Sequence, residues 1–115
     1  MTISDFLTKL NTSPESVTFT DTMTVIEENY TFSQTSFKNG ETNNEAGSNS
    51  GSCKLFAFAM LNELCIEKTL TCFGDYYRKD VLQNPGGTDH ANIRNFIKYG
   101  WDGIEFENQP LDAIK

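Results

Sequence analysis

At 115 residues the chain is long enough for one hydrophobic core without disulfides or metals as staples, and short for two. Nine Lys and Arg against sixteen Asp and Glu give a net charge of −7. Affinity for phosphate backbones comes from cations displacing counterions, so this balance excludes broad nucleic-acid or anionic-membrane surfaces.

The opening MTISDFLTKL has no cationic stretch leading into a long apolar run, and no window approaches the roughly 18 apolar residues of a membrane span, so neither a secretory signal nor a membrane anchor is expected. Ile3, Phe6, Leu7 and Leu10 recur at i, i+3, i+4 and i+7, which predicts a short helix over 3–10 whose apolar face docks on something larger. The run NTSPES breaks it. From Thr18, the residues Phe19, Met23, Ile26 and Tyr30 fall at helical spacing, and the Thr-x-x-Asp start resembles a capping box, although β-branched threonines oppose the helix. Tyr30 and Phe32 then alternate as in a half-buried strand. Phe37 is out of phase, which predicts a bend or bulge before the Asn39-Gly40 turn. Residues 39–52 are loop by composition, and a loop of that length is functional or disordered.

Residues 52–66, SCKLFAFAMLNELCI, are apolar on nearly every side, the mark of a central buried helix. A helix from Thr69 follows, with Leu70, Phe73, Tyr77 and Val81 on one stripe and Asp75 four residues before Lys79 on the outer face. Pro85, Gly86 and Gly87 end it. Thr88 or Asp89 is the expected cap of a last helix over 90–100, with Ile93, Phe96 and Ile97 turned inward and Gly100 closing it. A strand near Ile104 to Phe106 has one obvious partner, within residues 30–37, and residues 107–115 form a tail. The expectation is a mainly α (α+β) single domain over 1–115, with about five helices around a buried central helix and a small two-stranded β-ribbon.

Chemistry concentrates where Gly47, Ser48, Asn49, Ser50, Gly51 and Ser52 deliver the chain to the central helix. Free N–H groups and the dipole at a helix start favour phosphate, sulfate or carboxylate, and Lys54 would add charge. The spacing is not a Walker A loop, so nucleotide hydrolysis is not expected. The bland reading is that Ser52 caps the helix and Gly and Asn supply the turn. Cys53, in the first turn, is a candidate nucleophile if His90 lies near it, with Asp89 or Asn92 as orienters; it can equally point into the core. Cys53, Cys65 and Cys72 are odd in number, form no Cys-x-x-Cys knuckle, and read as free thiols rather than metal ligands. Arg78 and Arg94 lie among tyrosines and acids; they either meet an anionic ligand or pin helices through internal pairs. Trp101 between glycines reads as a plug for the end of the core. The ligand site expected from these residues is Asn49, Gly51, Ser52, Lys54, His90 and Arg94, with no metal and no cofactor.

The blocks AGSNSGSCKLFAFAML, TLTCFGDYYRKDVL and TDHANIRNFIKYGWDGI, with the earlier FKNG, resemble the HopJ family of bacterial type III effector proteins, in this order and over roughly Phe6 to Phe106. The Ser- and Thr-rich start is similar to the composition of type III export signals. The resemblance implies a small one-domain bacterial protein, resident in the cytoplasm or exported by a type III secretion system, that acts by binding a partner protein. It brings no catalytic residues to carry over. Three readings remain: an interaction protein of the effector kind, a resident module holding a small anion at residues 47–54, and an enzyme using Cys53 and His90.

Overall fold

The Thr2 hydroxyl accepts the N–H of Asp5 and opens α1 (Ile3–Thr12), whose inner face buries Phe6 and Leu10. This is the start of the computed structural model, which describes residues 2–114. A single 3-10 turn at Pro14–Ser16 leads to α2 (Phe19–Asn29), and there the capping box is complete: the Thr18 hydroxyl accepts from Asp21 N–H while the Asp21 carboxylate accepts from Thr18 N–H. The same carboxylate takes Lys9 at 2.9 Å, so one side chain ties α1 to the start of α2.

Burial pushes the Asp21 carboxyl up, but Lys9 and the Thr18 N–H outweigh it and hold it below the usual carboxylate range. A lowered folded-state pKa gives stability that is present above the unfolded value of about 3.9 and lost as pH falls through the folded one. We therefore expect Asp21→Ala to cost about 1 kcal/mol at pH 7, with the gap to wild type closing in urea melts at pH 3.

Five short strands follow the second and fifth helices. The first, β1 (Tyr30–Phe32), pairs antiparallel with β5 (Leu111–Ala113), Phe32 opposite Leu111. A separate sheet has β2 (Phe37–Asn39) in the middle, between β3 (Thr42–Asn44) and β4 (Ile104–Phe106). Phe37 faces Asn44 on one side and Phe106 on the other, and Asn39 faces Thr42 and Ile104. The expected pairing of 104–106 with the 30–37 region is present through Phe37. The ribbon is larger than expected because the tail and the long loop each contribute a strand: β5 lies in 107–115 and β3 in 39–52. Tyr30 and Phe37 belong to different sheets, which is the physical content of the phase break between them.

The central helix α3 (Ser50–Leu61) buries Cys53, Leu55, Phe56, Ala57, Phe58 and Ala59, as its all-round apolar sequence requires. Packed against it are α2, α4 (Ile66–Thr71) and β5. The helix expected from Thr69 up to Pro85 is broken instead. At Gly74 the chain takes φ +63°, and a Cβ there would lie 2.8 Å from the backbone nitrogen of Phe19, so only glycine allows this close turn over α2. Beyond it runs a π-helix, Tyr76–Val81, a rare form that is frequent at functional sites. The last helix, α5 (Ala91–Tyr99), buries Asn92, Ile93 and Phe96 and ends at Gly100, but Ile97, expected inside, is 47% exposed. The buried stripe at 92, 93 and 96 leaves position 97 off its face. A 3-10 turn, Gly100–Gly103, sets Trp101 edge-on against Phe56 and Phe96, with its indole N–H donating to Leu64 O at 3.1 Å. This is the plug that the glycine-flanked tryptophan implied.

Candidate functional site

Two helices begin side by side. The N-cap of α3 is Asn49 (φ 52°, ψ 43°) and that of α5 is His90 (φ 50°, ψ 49°); both are left-handed, and neither start has a side-chain cap. N-caps ordinarily sit in the extended region and offer a hydroxyl or carboxylate to the helix. Here Ser52 lies inside α3, and Thr88 and Asp89 precede the cap of α5, so the expected side-chain caps are absent from both. The first N–H groups of a helix have no partner within it. Both ends thus present free donors and the positive end of a dipole.

Between them lies a cleft of about 380 Å³. Gly51 lines it, and the Phe19 ring lies so close that a Cβ on Gly51 would stand 2.9 Å from it. One wall is aromatic: Phe19 stacks on Phe73 and meets Tyr76 edge-on at 5.3 Å, and Tyr76 lies 5.2 Å from the His90 ring. The other wall is polar, built from Thr42, Asn44, Asn49, Ser52 and Asn92. Among the described residues lining the cleft there is no Asp, Glu, Lys or Arg.

Buried amides join the two helix starts. Asn44 and Asn92 exchange hydrogen bonds, each Nδ2 donating to the other's Oδ1 at 3.1 Å. Asn49 Nδ2 donates to Asn44 Oδ1 at 2.7 Å, and Asn39 Nδ2 donates to both the carbonyl and the Oδ1 of Asn92. Asn95 donates to Thr42 and to Asn39 O, so α5 is bound to both strands of the β2–β3 hairpin. Burial in a medium of low polarity makes such a network strong when complete and costly when broken.

Of the six ligand-site residues expected from sequence, Asn49, Gly51, Ser52 and His90 line one cleft, and Lys54 and Arg94 do not. Lys54 turns away to Glu27, at 3.8 Å, and lies over the Phe32 ring. Arg94 donates to the carbonyls of Asp80, Asn84 and Asp89 and to the Asp89 carboxylate at 2.7 Å, a bond that holds that carboxyl below its usual range. It therefore organises the loop that delivers His90, as Arg78 ties the π-helix to Pro14 O and Val17 O. Both arginines pin elements together, the alternative weighed from their acidic surroundings. His90 Nε2–H donates to Asp80 Oδ2 at 3.1 Å, and the π-helix thereby supplies both Tyr76 and Asp80 to the same imidazole.

Cys53 does not face His90 across this cleft. It is 1% exposed within the core, and burial pushes its thiol up to about 11. A nucleophilic cysteine needs both thiolate and access, and the fourth position of a helix whose interior face is this apolar provides neither. Cys72 is likewise buried and pushed up to about 12, whereas Cys65 is exposed. Iodoacetamide at pH 8 is expected to label Cys65 alone in the folded protein, with Cys53 and Cys72 reacting only in denaturant, as peptide mass spectrometry will show.

Phe19, Asn44, Phe73, Tyr76 and Asn92 also line the cleft without having been assigned to a ligand site from sequence. Phe19 and Phe73 read as helix-face residues, which they also are. The signal for Asn44 and Asn92 is weak: asparagine in a loop or a first helical turn is ordinary.

The molecule is thus a small α+β protein with a ligand-sized cleft at paired helix starts. The chain belongs to the HopJ type III effector protein family, whose description matches residues 3–111. It is also similar to a solved protein whose structure is titled "Crystal structure of unknown function protein VPA0580": 53% identity, 99% of this chain and 95% of that one, TM-score 0.97. No curated protein matches it. Among the described residues no helix is long and apolar enough to cross a membrane.

Proposed function

We propose that the protein is a binding module which takes an acidic group, carboxylate or phosphate, into the cleft between the starts of α3 and α5, the group being free or carried by a partner. The observation that carries this reading is the lining: in a chain with sixteen Asp and Glu, the described residues facing the cleft include no carboxylate, while two uncapped helix starts meet there. Preorganised N–H donors attract an anion without a lysine or arginine. For a member of an effector family, a protein partner presenting such a group, reached after export by a type III secretion system, is the corresponding biological role.

Inorganic phosphate and acetate are the probes. Titration is expected to shift the backbone amide signals of residues 50–52 and 91–92, and a tenfold excess over Kd to raise stability by about 1.4 kcal/mol. Ser52→Asp supplies a resident carboxylate at the helix start, so it is expected to raise the melting temperature and abolish the response. Signals at those amides that stay still in both anions would refute the reading.

A further inference from the structure

Resting on that reading, we infer that the ligand carries a flat aromatic ring beside its acidic group. The first argument is size. About 380 Å³ is room for on the order of a dozen waters at about 30 Å³ each, and lies in the range of small-molecule sites. A bare phosphate or carboxylate fills a small part of it, so the ligand has a body as well as a charged end.

The second argument is the wall that body meets. Phe19, Tyr76 and His90 follow one another at 5.3 and 5.2 Å, and Tyr76 is 45% exposed although its neighbours hold the ring in place. The π-helix sets Tyr76 and Asp80 four residues apart on the side facing His90, and the Asp80 bond to His90 fixes the imidazole next to the Tyr76 ring. An aromatic side chain braced at the rim of a cleft is a stacking surface. A sugar would stack there too, but its many hydroxyls call for free amides or carboxylates. The Asn44 and Asn92 amides are occupied with one another, and no carboxylate lines the cleft among the described residues. Beyond those amides the cleft offers N–H donors, the Ser52 hydroxyl and the Asn49 side chain at the helix starts and ring faces along one side, which matches an aromatic or heteroaromatic ring bearing a carboxylate or phosphate.

His90 is the only histidine, so its imidazole signals in NMR are unambiguous. Nicotinate and AMP serve as ring-bearing acids, with acetate and inorganic phosphate as their ringless counterparts, and the two pairs separate carboxylate from phosphate. At least one ring-bearing acid is expected to bind about tenfold or more tightly than its counterpart and to shift the His90 and Tyr76 ring protons, since stacking on an aromatic side chain is worth that much. Tyr76→Leu keeps apolar bulk but removes the ring. It is expected to erase the tenfold gain, lowering the affinity of the ring-bearing acids about tenfold more than that of acetate and phosphate. Ring-bearing acids that bind no better than acetate and phosphate, or a gain that survives Tyr76→Leu, overturn the ring inference and leave the anion reading standing. Failure of all four probes to move the amides of 50–52 and 91–92 removes both.

Discussion

Replacing Phe56 by alanine will cost about 3–5 kcal/mol, the range for truncating a fully buried phenylalanine. Phe56 has no exposed surface, and its ring meets four others, those of Phe37, Phe73, Phe96 and Trp101. These come from β2, the turn before the π-helix, α5 and the Gly100–Gly103 turn, so one side chain ties four separate parts of the chain to α3. The remaining rings cannot close the gap without leaving their own contacts, and a cavity persists. Against a total of roughly 5–15 kcal/mol for a domain, that loss leaves little margin. The melting temperature should fall by roughly 12–25 °C. Leu82→Ala, at a 54% exposed position, is the control and should stay within about 0.5 kcal/mol of wild type. A Phe56→Ala protein melting within a few degrees of wild type would mean that the ring cluster repacks, and would weaken the case for α3 as the organising element.

The helices were legible because their evidence is local. Phe6 and Leu10 repeat at helical spacing, Thr18 and Asp21 stand three apart, and residues 53–59 are too apolar for any surface. The strands β3 and β5 were not, since Thr-Asn-Asn and Leu-Asp-Ala have no alternation or β-propensity of their own; each is a strand because a partner runs beside it. The break at Gly74 was hidden for a related reason. A glycine within a good helical stripe is usually tolerated, and only the approach of α2's backbone makes its positive φ necessary.

The site divides in the same way. A Gly/Ser/Asn run before a helix identifies a helix start, and that placed Asn49, Gly51 and Ser52. Charge misled: Lys54 and Arg94 are among few cations in an acidic chain, and in such a chain cations find internal partners first, Glu27 for one and Asp89 for the other. The second helix start was visible at His90, but nothing in the sequence says that residues 49 and 90 are neighbours. That fact is written in the amide bonds from β2 and β3 to Asn92, which no periodicity reveals.

Those bonds set the second large effect. Asn92→Asp preserves the shape of a side chain that is only 6% exposed but replaces its Nδ2 donor by an oxygen facing Asn44 Oδ1. At pH 7 the variant must either bury a carboxylate among three amides or keep a proton on it, and the cost should be about 3 kcal/mol. Its direction with pH follows from linkage. Donors from Asn39 and Asn44 and the start of α5 lower the folded-state pKa of the new acid, but burial and the facing Asn44 Oδ1 outweigh them and raise it above the unfolded value of about 3.9, so the variant's stability is full below that value and falls as pH rises through the folded pKa. Near pH 4 the neutral acid can donate to Asn44 Oδ1 in place of the lost amide, and the variant should approach wild type. The difference in unfolding free energy between the two proteins, measured in urea from pH 4 to 8, should therefore widen with pH. Asn92→Leu has no proton to hold, and its deficit should be flat over the same range. A flat profile for Asn92→Asp as well would show that Asn92 matters for its shape alone. A rising one would show that the amide network holds the starts of α3 and α5 together, and with them the walls of the cleft.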